Sequence, residues 1–434
     1  MFMQLEYEIQ DFMKSQNWED AITVYKQAED KFLNIESETD LWEHDASLPH
    51  FLRRSLAVEI FQRQRHYGKA VKLLEKLLGQ KTHRQDCRGR WYDRLALNLH
   101  QHLKRPGKAL QIIKEAIEDP DVRVGHRLAL SQRAERILNS KLAQKQGNMY
   151  PDIELVKFQE APKICIQGKS LPSDIAGYKR IYLSSEDGKE NNTMCSVEEL
   201  VLSHYKREGY SKGLHSEGRV INSLFGFFFW DILYLPIPDA FRTQHQATPL
   251  DLDSPEFYSR RKEEIDKRLS EMVNWSFDET TENLFNVWVE NEKCVSIIDW
   301  NLFSSFDFLM GLVQGLGLSL ISAICERLAK DHRFTRSGFP DLIVWDPVSK
   351  QSRIVEVKGP NDKLSTKQIL WLDFLLKKGA SAEVCHVEAV GIKRSTKLVT
   401  KRISPRKQRS SDLHTQDVSQ DSELPSAPAG SQTE

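Results

Sequence analysis

Apolar residues recur at helical spacing through the first third of the chain and alternate at strand spacing near residues 340–390, and they thin out beyond that. Three stretches repeat one pattern: Asp20-Ala21-Ile22-Thr23-Val24-Tyr25, Lys69-Ala70-Val71-Lys72-Leu73-Leu74 and Lys108-Ala109-Leu110-Gln111-Ile112-Ile113. A small residue followed by bulky ones is the face of a helix that lies close against its neighbour. Helix-period positions such as Leu56, Ile60, Phe61 and Leu95, Leu99, Leu103 lie between the copies, so stacked helix pairs are expected. The alternative is an irregular helical domain in which the copies are coincidental.

The periodicity breaks up over 149–192, where Pro151, Pro162 and Pro172 mark loops and short strands, which reads as a domain junction. Ser196-Val-Glu-Glu199 has the form of a capping box opening a helix, and a second helix is expected near Ser216. Further helices are expected over 254–273 and 308–330. The domain plan is therefore an α+β, mixed one: a TPR-like helical repeat domain at 1–157, a second domain at 158–392 built on a mixed sheet flanked by helices, and a tail at 393–434. That tail is basic, then acidic and rich in Ser, Asp and Pro, and is expected to be disordered.

Composition changes the picture at three points. Lys plus Arg number 61 and Asp plus Glu 62, so the chain as a whole gives no reason to expect a polyanion partner. Residues 1–50, however, hold 3 basic and 12 acidic side chains, and residues 51–110 hold 15 basic and 4 acidic, so a polyanion could dock on the second block. The six cysteines are scattered without zinc-ligand spacing, which fits reduced thiols in the nucleus or cytosol. The acidic, polar start MFMQLEYEIQDFMKSQ is unlike a signal peptide. Of two apolar runs, 224–235 is too short to span a bilayer, and 308–325 carries Gln314, Ser319, Ser322 and three glycines, so it reads as a buried core helix and no membrane partner is expected.

The candidate chemistry lies in Gly338-Phe-Pro-Asp341-Leu-Ile-Val-Trp345 and Val355-Glu356-Val357-Lys358-Gly359. Two β-rich runs around a polar connector form a hairpin signal, and pairing them about residues 348 and 349 sets Asp341 opposite Glu356. Strand alternation puts Glu356 and Lys358 on one face, away from Val355 and Val357. Paired carboxylates form a hard oxygen site for Mg²⁺ or Mn²⁺, the Val357 carbonyl adds a further ligand, and Lys358 stands beside the water and phosphate of a phosphodiester hydrolysis. A helix over 365–378 and a strand over 383–390 follow, so strand, strand, helix, strand is expected to make a small sheet with its acidic face open to solvent. An ordinary hairpin whose polar face happens to carry Asp, Glu and Lys would show the same residues.

The stretch 338–391 resembles the virus-type replication-repair nuclease module, VRR-NUC, of the PD-(D/E)xK nuclease superfamily. More narrowly, Gly-Phe-Pro-Asp-Leu-Ile-Val-Trp, Val-Glu-Val-Lys-Gly-Pro-Asn-Asp and Glu-Val-Cys-His-Val resemble the Fanconi-anaemia-associated nuclease family. The resemblance extends back through Ile237-Pro-Asp-Ala-Phe-Arg, Gln246-Ala-Thr-Pro-Leu-Asp-Leu252, Cys195-Ser-Val-Glu-Glu-Leu200 and the string from Arg88 to His100, so it covers about residues 50 to 391. It implies a metal-dependent DNA nuclease that cuts 5′ flaps, trims from a 5′ end and serves interstrand cross-link repair in the nucleus. Its catalytic core would be Asp341, Glu356 and Lys358, with Glu217, in His215-Ser-Glu-Gly218, as an added metal ligand from a preceding helix. The bland role for Glu217 is to stabilise a helix N-terminus. The resemblance also implies a 5′-phosphate pocket from Arg63, Arg90 and His126 of the repeats with Arg333 and Lys367 of the nuclease, and branched or flapped DNA with a 5′ phosphate as partner.

Full-length members of that family carry an N-terminal ubiquitin-binding zinc finger and a SAP-type DNA-binding region. This sequence shows neither, so the resemblance does not extend to ubiquitin-dependent recruitment. A second function follows from that gap: a catalytically weak scaffold that occupies flaps without cutting them. A junction-resolving nuclease is a third, and the helical repeats would obstruct the symmetric dimer it needs.

Overall fold

The computed structural model describes residues 2–36, 48–81, 84–140, 153–170, 181–185, 192–243 and 245–390. The tail at 393–434 lies outside them. In the first third run Phe2–Lys14 (α1), Trp18–Glu36 (α2), Leu48–Arg63 (α3), Tyr67–Gly79 (α4), Arg88–Leu97 (α5), Pro106–Glu118 (α6) and Val124–Leu138 (α7). They pack as sequential pairs, α1 on α2, α3 on α4 and α5 on α6. The three repeated alanines, Ala21, Ala70 and Ala109, are fully buried near the start of the second helix of each pair, where a larger side chain would push the helices apart. Pro106 opens α6 at the first helical position, where no backbone donor is needed. Leu155 still packs against this repeat core, whereas Ala161 already belongs to the core that follows.

The second core is built on a seven-stranded sheet. Its strands are Lys163–Ser170 (β1), Tyr182–Ser185 (β2), Asn192–Cys195 (β3), Lys212–His215 (β4), Leu342–Asp346 (β5), Gln351–Lys358 (β6) and Ala382–Val390 (β7), in the order β3-β2-β1-β7-β6-β5-β4. β7 is parallel to both β1 and β6, and the other neighbours are antiparallel. The segment read as a junction is thus corrected in one respect: its β-rich part, β1, is an internal strand. Its pairing with the far end of the chain could not be seen locally, because parallel strands are joined by long crossovers.

The sheet is covered on both faces. Val197–Arg207 (α8), opened by the expected capping box between Ser196 and Glu199, lies on Leu342, Val344, Val355 and Val357. The alternate residues Ile343, Trp345, Ile354 and Val384 face a larger apolar core with Gly218–Phe228 (α9), Lys262–Met272 (α10), Phe277–Asn291 (α11), Phe306–Leu316 (α12) and Leu318–Thr335 (α13). The single helix expected over 308–330 is in fact two, α12 and α13, bent by 94° at Gly317, whose φ of +78° suits glycine. Their apolar residues are buried in this core, and among the described residues no single helix is long and apolar enough to cross a membrane. Thr366–Lys377 (α14) makes the crossover from β6 to β7 and lies against α7 of the repeats, with Leu370 meeting Gly125.

Candidate active site

The β5–β6 hairpin has the register expected from sequence. Leu342 pairs with Val355 and Asp346 with Gln351, so Asp341 stands opposite Glu356 one step beyond the last paired position. There the ladder opens: the Val357 N–H leaves the strand pairing and donates to Asp341 Oδ2 at 2.8 Å. Glu356 and Lys358 share a face, with Lys358 Nζ 2.7 Å from Glu356 Oε1.

The face is not open to solvent, which corrects the sequence expectation. Glu356 is 0% and Lys358 9% exposed, because the first turn of α14 closes over them. Gln368 is the residue that does so. As the third residue of α14 it completes a capping box with Ser365, accepting from the Ser365 N–H at 2.8 Å. Its amide also donates to Glu356 Oε1 and accepts from Lys358 Nζ at 3.3 Å. Sequence reasoning missed Gln368, although the Ser-x-x-Gln box directly after a Glu-x-Lys strand was the signal that could have found it.

This cluster is electrically unbalanced. Two carboxylates share one ammonium, and Glu356 Oε2 is sealed from solvent with no hydrogen-bond donor. Burial, followed by the nearby Asp341 charge, pushes the Glu356 carboxyl up to about 8, against the pull of Lys358. Burial also raises Asp341, opposed by the Val357 N–H and Lys358 and reinforced by Glu217. An orphaned oxygen beside a second carboxylate is a donor set that suits a hard divalent cation such as Mg²⁺ or Mn²⁺. Asp341 and Glu356 would hold it, with the Val357 carbonyl at hand between Glu356 and Lys358.

Glu217 is brought near but does not complete a ligand cluster. Among the described residues no three His, Cys, Asp or Glu side chains form a group able to hold a metal. Glu217 is the N-cap of α9 rather than a residue inside a helix; it is exposed and makes no side-chain cap hydrogen bond, so any support it gives the helix start is through its charge alone. Its backbone is unusual, with φ +49° and ψ −134°, a combination that residues with a Cβ rarely adopt. The N–H groups of Ser216 and Glu217 both point at the carbonyl of Asp341, at 3.2 and 3.4 Å.

The five residues expected to bind phosphate do not form one group. The His126 ring lies over Gly89, where a Cβ would come within 2.5 Å of it, and its neighbour along α5 is the exposed Arg90. Burial lowers the His126 pKa, with Arg90 and Arg123 adding to the effect and Asp93 opposing it. Arg333 lines a cleft of about 410 Å³ between repeats and nuclease together with Arg84, Arg123 and Phe334. Arg123, which sequence reasoning did not single out, stacks its guanidinium 3.4 Å from the Phe334 ring centre and so links the His126 cluster to Arg333. Lys367 is exposed and donates to Ser337 Oγ at 2.7 Å, one turn before the Leu370 that touches Gly125. Arg63 is placed differently: it pairs with Glu59 at 3.7 Å, lies 5.7 Å from the Trp18 ring and lines a separate cleft with Gln10, Lys14 and Gln16.

A helical repeat array followed by a mixed sheet whose hairpin brings Asp, Glu and Lys together is the arrangement of the VRR-NUC class of nuclease module. Comparison with known proteins agrees: residues 2–138 match the family model for the TPR domain of Fanconi-associated nuclease 1, and residues 278–389 match that of the VRR-NUC domain. Fanconi-associated nuclease 1 of Mus musculus is 40% identical over 395 residues, covering 88% of this chain and 39% of that protein, and the Homo sapiens protein is 39% identical over 401 residues, covering 89% and 39%. The Arabidopsis thaliana homolog is 33% identical over 342 residues, covering 78% and 37%. The chain is a relative of the Fanconi-associated nucleases that shares their TPR and VRR-NUC domains. It spans about two fifths of the length of these curated relatives. Among solved structures, the crystal structure of paFAN1 bound to 2nt 5′ flap DNA with gap has the same fold, with a TM-score of 0.62 at 23% identity over 80% of this chain and 56% of that one.

Proposed function

We propose that this chain is a metal-dependent, structure-selective DNA nuclease that cuts 5′ flaps, degrades from a 5′ end and acts in interstrand cross-link repair. The observation that carries this reading is the orphaned Glu356 Oε2 beside Asp341, in a pocket with one ammonium for two carboxylates. Flapped DNA as substrate is carried over from paFAN1, which was solved bound to 5′ flap DNA.

Mg²⁺ or Mn²⁺, when bound, supplies charge neutralisation and Lewis acidity toward a phosphoryl oxygen. The residues of the chain do the rest. Gln368 and Glu356 fix Lys358 Nζ from two sides, which leaves an N–H to donate to the attacking water or to the charge developing on the phosphate. The Val357 N–H orients Asp341. Arg90, His126, Arg123, Arg333 and Lys367 supply cationic and N–H donors for a terminal phosphate, which would set the distance from the 5′ end to the cut. The basic run at 393–409 fits nuclear import. Unchanged nuclear distribution after deletion of 393–434 would remove that last point.

The decisive test is cleavage of a labelled 5′-flap duplex in Mg²⁺, Ca²⁺ and EDTA. Cutting in Mg²⁺ alone is expected. Tight flap binding without cutting in any of the three would leave the scaffold function in its place.

A further inference from the structure

The strained Glu217 needs something to hold it, and the structure supplies it from the next turn of α9. Asn222, one turn into that helix, donates its amide to the Gly218 carbonyl at 2.7 Å and reaches the Arg336 carbonyl at 3.4 Å. With its nitrogen committed to two carbonyls, Asn222 presents Oδ1 to His332 Nε2, 3.0 Å away. His332 Nδ1 lies 2.8 Å from Asp253 Oδ1, and the other oxygen of Asp253 pairs with Arg336 at 3.1 Å. His332 is buried, and it reaches this position because α13 is kinked at Asp331, whose φ of −154° is not helical.

The circuit closes on the active site. Arg336 begins the loop that ends at Asp341, and its carbonyl sits so close to Gly218 that a Cβ there would lie 2.4 Å from it. Glu217 and Asp341 are therefore held at the two ends of one clamp, α9 on one side and the 336–341 loop on the other, and backbone strain of this kind persists only where the surroundings over-determine it. Both His332 nitrogens face oxygen atoms, and a ring with a proton on Nε2 donates to Asn222 Oδ1 and keeps the amide nitrogen turned toward the two carbonyls.

We infer that Asn222 and His332 are positioning residues that hold Glu217 beside Asp341 and thereby set the affinity of the carboxylate site for its divalent cation. This rests on the metal-dependent reading above. Outer hydrogen bonds that orient a metal site typically contribute 10–100-fold in metal affinity.

The test is calorimetric titration of MnCl₂ into the DNA-free chain, with thermal melting to confirm folding. Asn222→Asp keeps the acceptor for His332 but loses the amide donors. His332→Gln keeps a donor at the Nε2 position, whereas His332→Asn keeps only the Nδ1 side. Asn222→Asp and His332→Asn should raise the Mn²⁺ dissociation constant at least about tenfold while His332→Gln stays near wild type. Activity at saturating Mg²⁺ should recover in the weakened variants, so that the loss appears in the Mg²⁺ requirement rather than in kcat. Mn²⁺ binding by Asn222→Asp and His332→Asn equal to wild type would overturn the inference, as would equal weakening by His332→Gln and His332→Asn, which would make the ring a space-filler. Wild-type Mn²⁺ binding that Asp341→Ala leaves untouched would overturn the metal-dependent reading itself, and this inference with it.

Discussion

Arg88 in the repeats and Glu356 in the sheet are buried to a similar degree, yet their surroundings differ in kind. Arg88 meets Asp119 through two nitrogens, at 2.7 and 2.8 Å, and gives its remaining donors to the carbonyls of Leu78 and Gln80. The fully buried Arg261 is treated the same way by Asp251 and the Ile232 carbonyl. In both cases one charge meets one countercharge and every guanidinium nitrogen has an acceptor, which is what a structural ion pair requires to offset desolvation. Around Glu356 neither condition holds, because a second carboxyl group, Asp341, faces the same ammonium and Oε2 has no donor from the chain. Burial alone says little about function. A burial whose charges do not close marks a candidate site for a further ion.

The largest expected effect breaks this comparison directly. Asp341→Ala or Glu356→Ala should abolish Mg²⁺-dependent cleavage of a 5′-flap duplex while DNA affinity, measured by fluorescence anisotropy, stays the same or rises. Asp119→Ala should do the reverse, lowering unfolding stability by about 3–5 kcal/mol by stranding Arg88 and leaving the folded molecules able to cut. Cutting by Asp341→Ala at the wild-type rate would show that the unbalanced cluster is not the reaction centre.

Lys358→Ala comes next, with an expected loss of at least ~10²-fold in kcat if its ammonium acts on the attacking water or the developing charge. A raised KM with kcat unchanged would assign it to docking. Gln368→Ala should follow it in part, because Lys358 would then keep Glu356 as its one partner.

Which parts of this were legible in the sequence follows from how local each interaction is. The hairpin register was readable, because a short symmetric connector fixes which residues face each other and so places Asp341 against Glu356. The capping box at Ser196 and Glu199 was readable for the same reason. The burial of Glu356 was not, since it depends on where α14 comes to rest, nor was the internal place of β1, whose partner Val384 lies more than 200 residues away along the chain. The bend at Gly317 was hidden by apolar residues that continue on both sides of it. Asn222 and His332 meet across 110 positions and carry no motif. Arg63 joins Arg90 in the expected pocket through the family resemblance and the shared basic block, and neither says which way a helix turns its side chains.

That difference within the basic block gives a smaller prediction. Arg90→Ala combined with His126→Ala should cost roughly a hundredfold more on 5′-phosphorylated flaps than on unphosphorylated ones, since each of the two charge-assisted phosphate contacts is worth about a decade of affinity. Arg63→Ala should change little, because an exposed pair such as Arg63 and Glu59 contributes at most about 1 kcal/mol. A phosphate-dependent loss in Arg63→Ala as large as in the double variant would bring Arg63 back into the pocket.

The smallest effect is on stability and sharpens the contrast between closed and open charge. Burial and Asp341 raise Glu356 from an ordinary 4.5 to about 8 in the folded chain. Between those values the folded state keeps a proton that the unfolded state releases, so this group makes the chain less stable as the pH rises from about 4.5 to about 8. Asp341, raised in the same direction, adds to the slope. Asp119, lowered by Arg88, has the opposite sign: its contribution is present above the ordinary aspartate pKa and is lost only on acidification. The melting temperature without divalent cation should therefore fall by roughly a few degrees between pH 6 and pH 8.5 through Glu356 and Asp341, and Glu356→Gln should flatten that fall. Added Mg²⁺ should stabilise the chain more at pH 8.5 than at pH 6, because at the lower pH it must displace protons from Glu356 and Asp341 to bind. A Mg²⁺ stabilisation that is the same at both pH values would mean that the cation, if it binds, does not bind to these carboxylates.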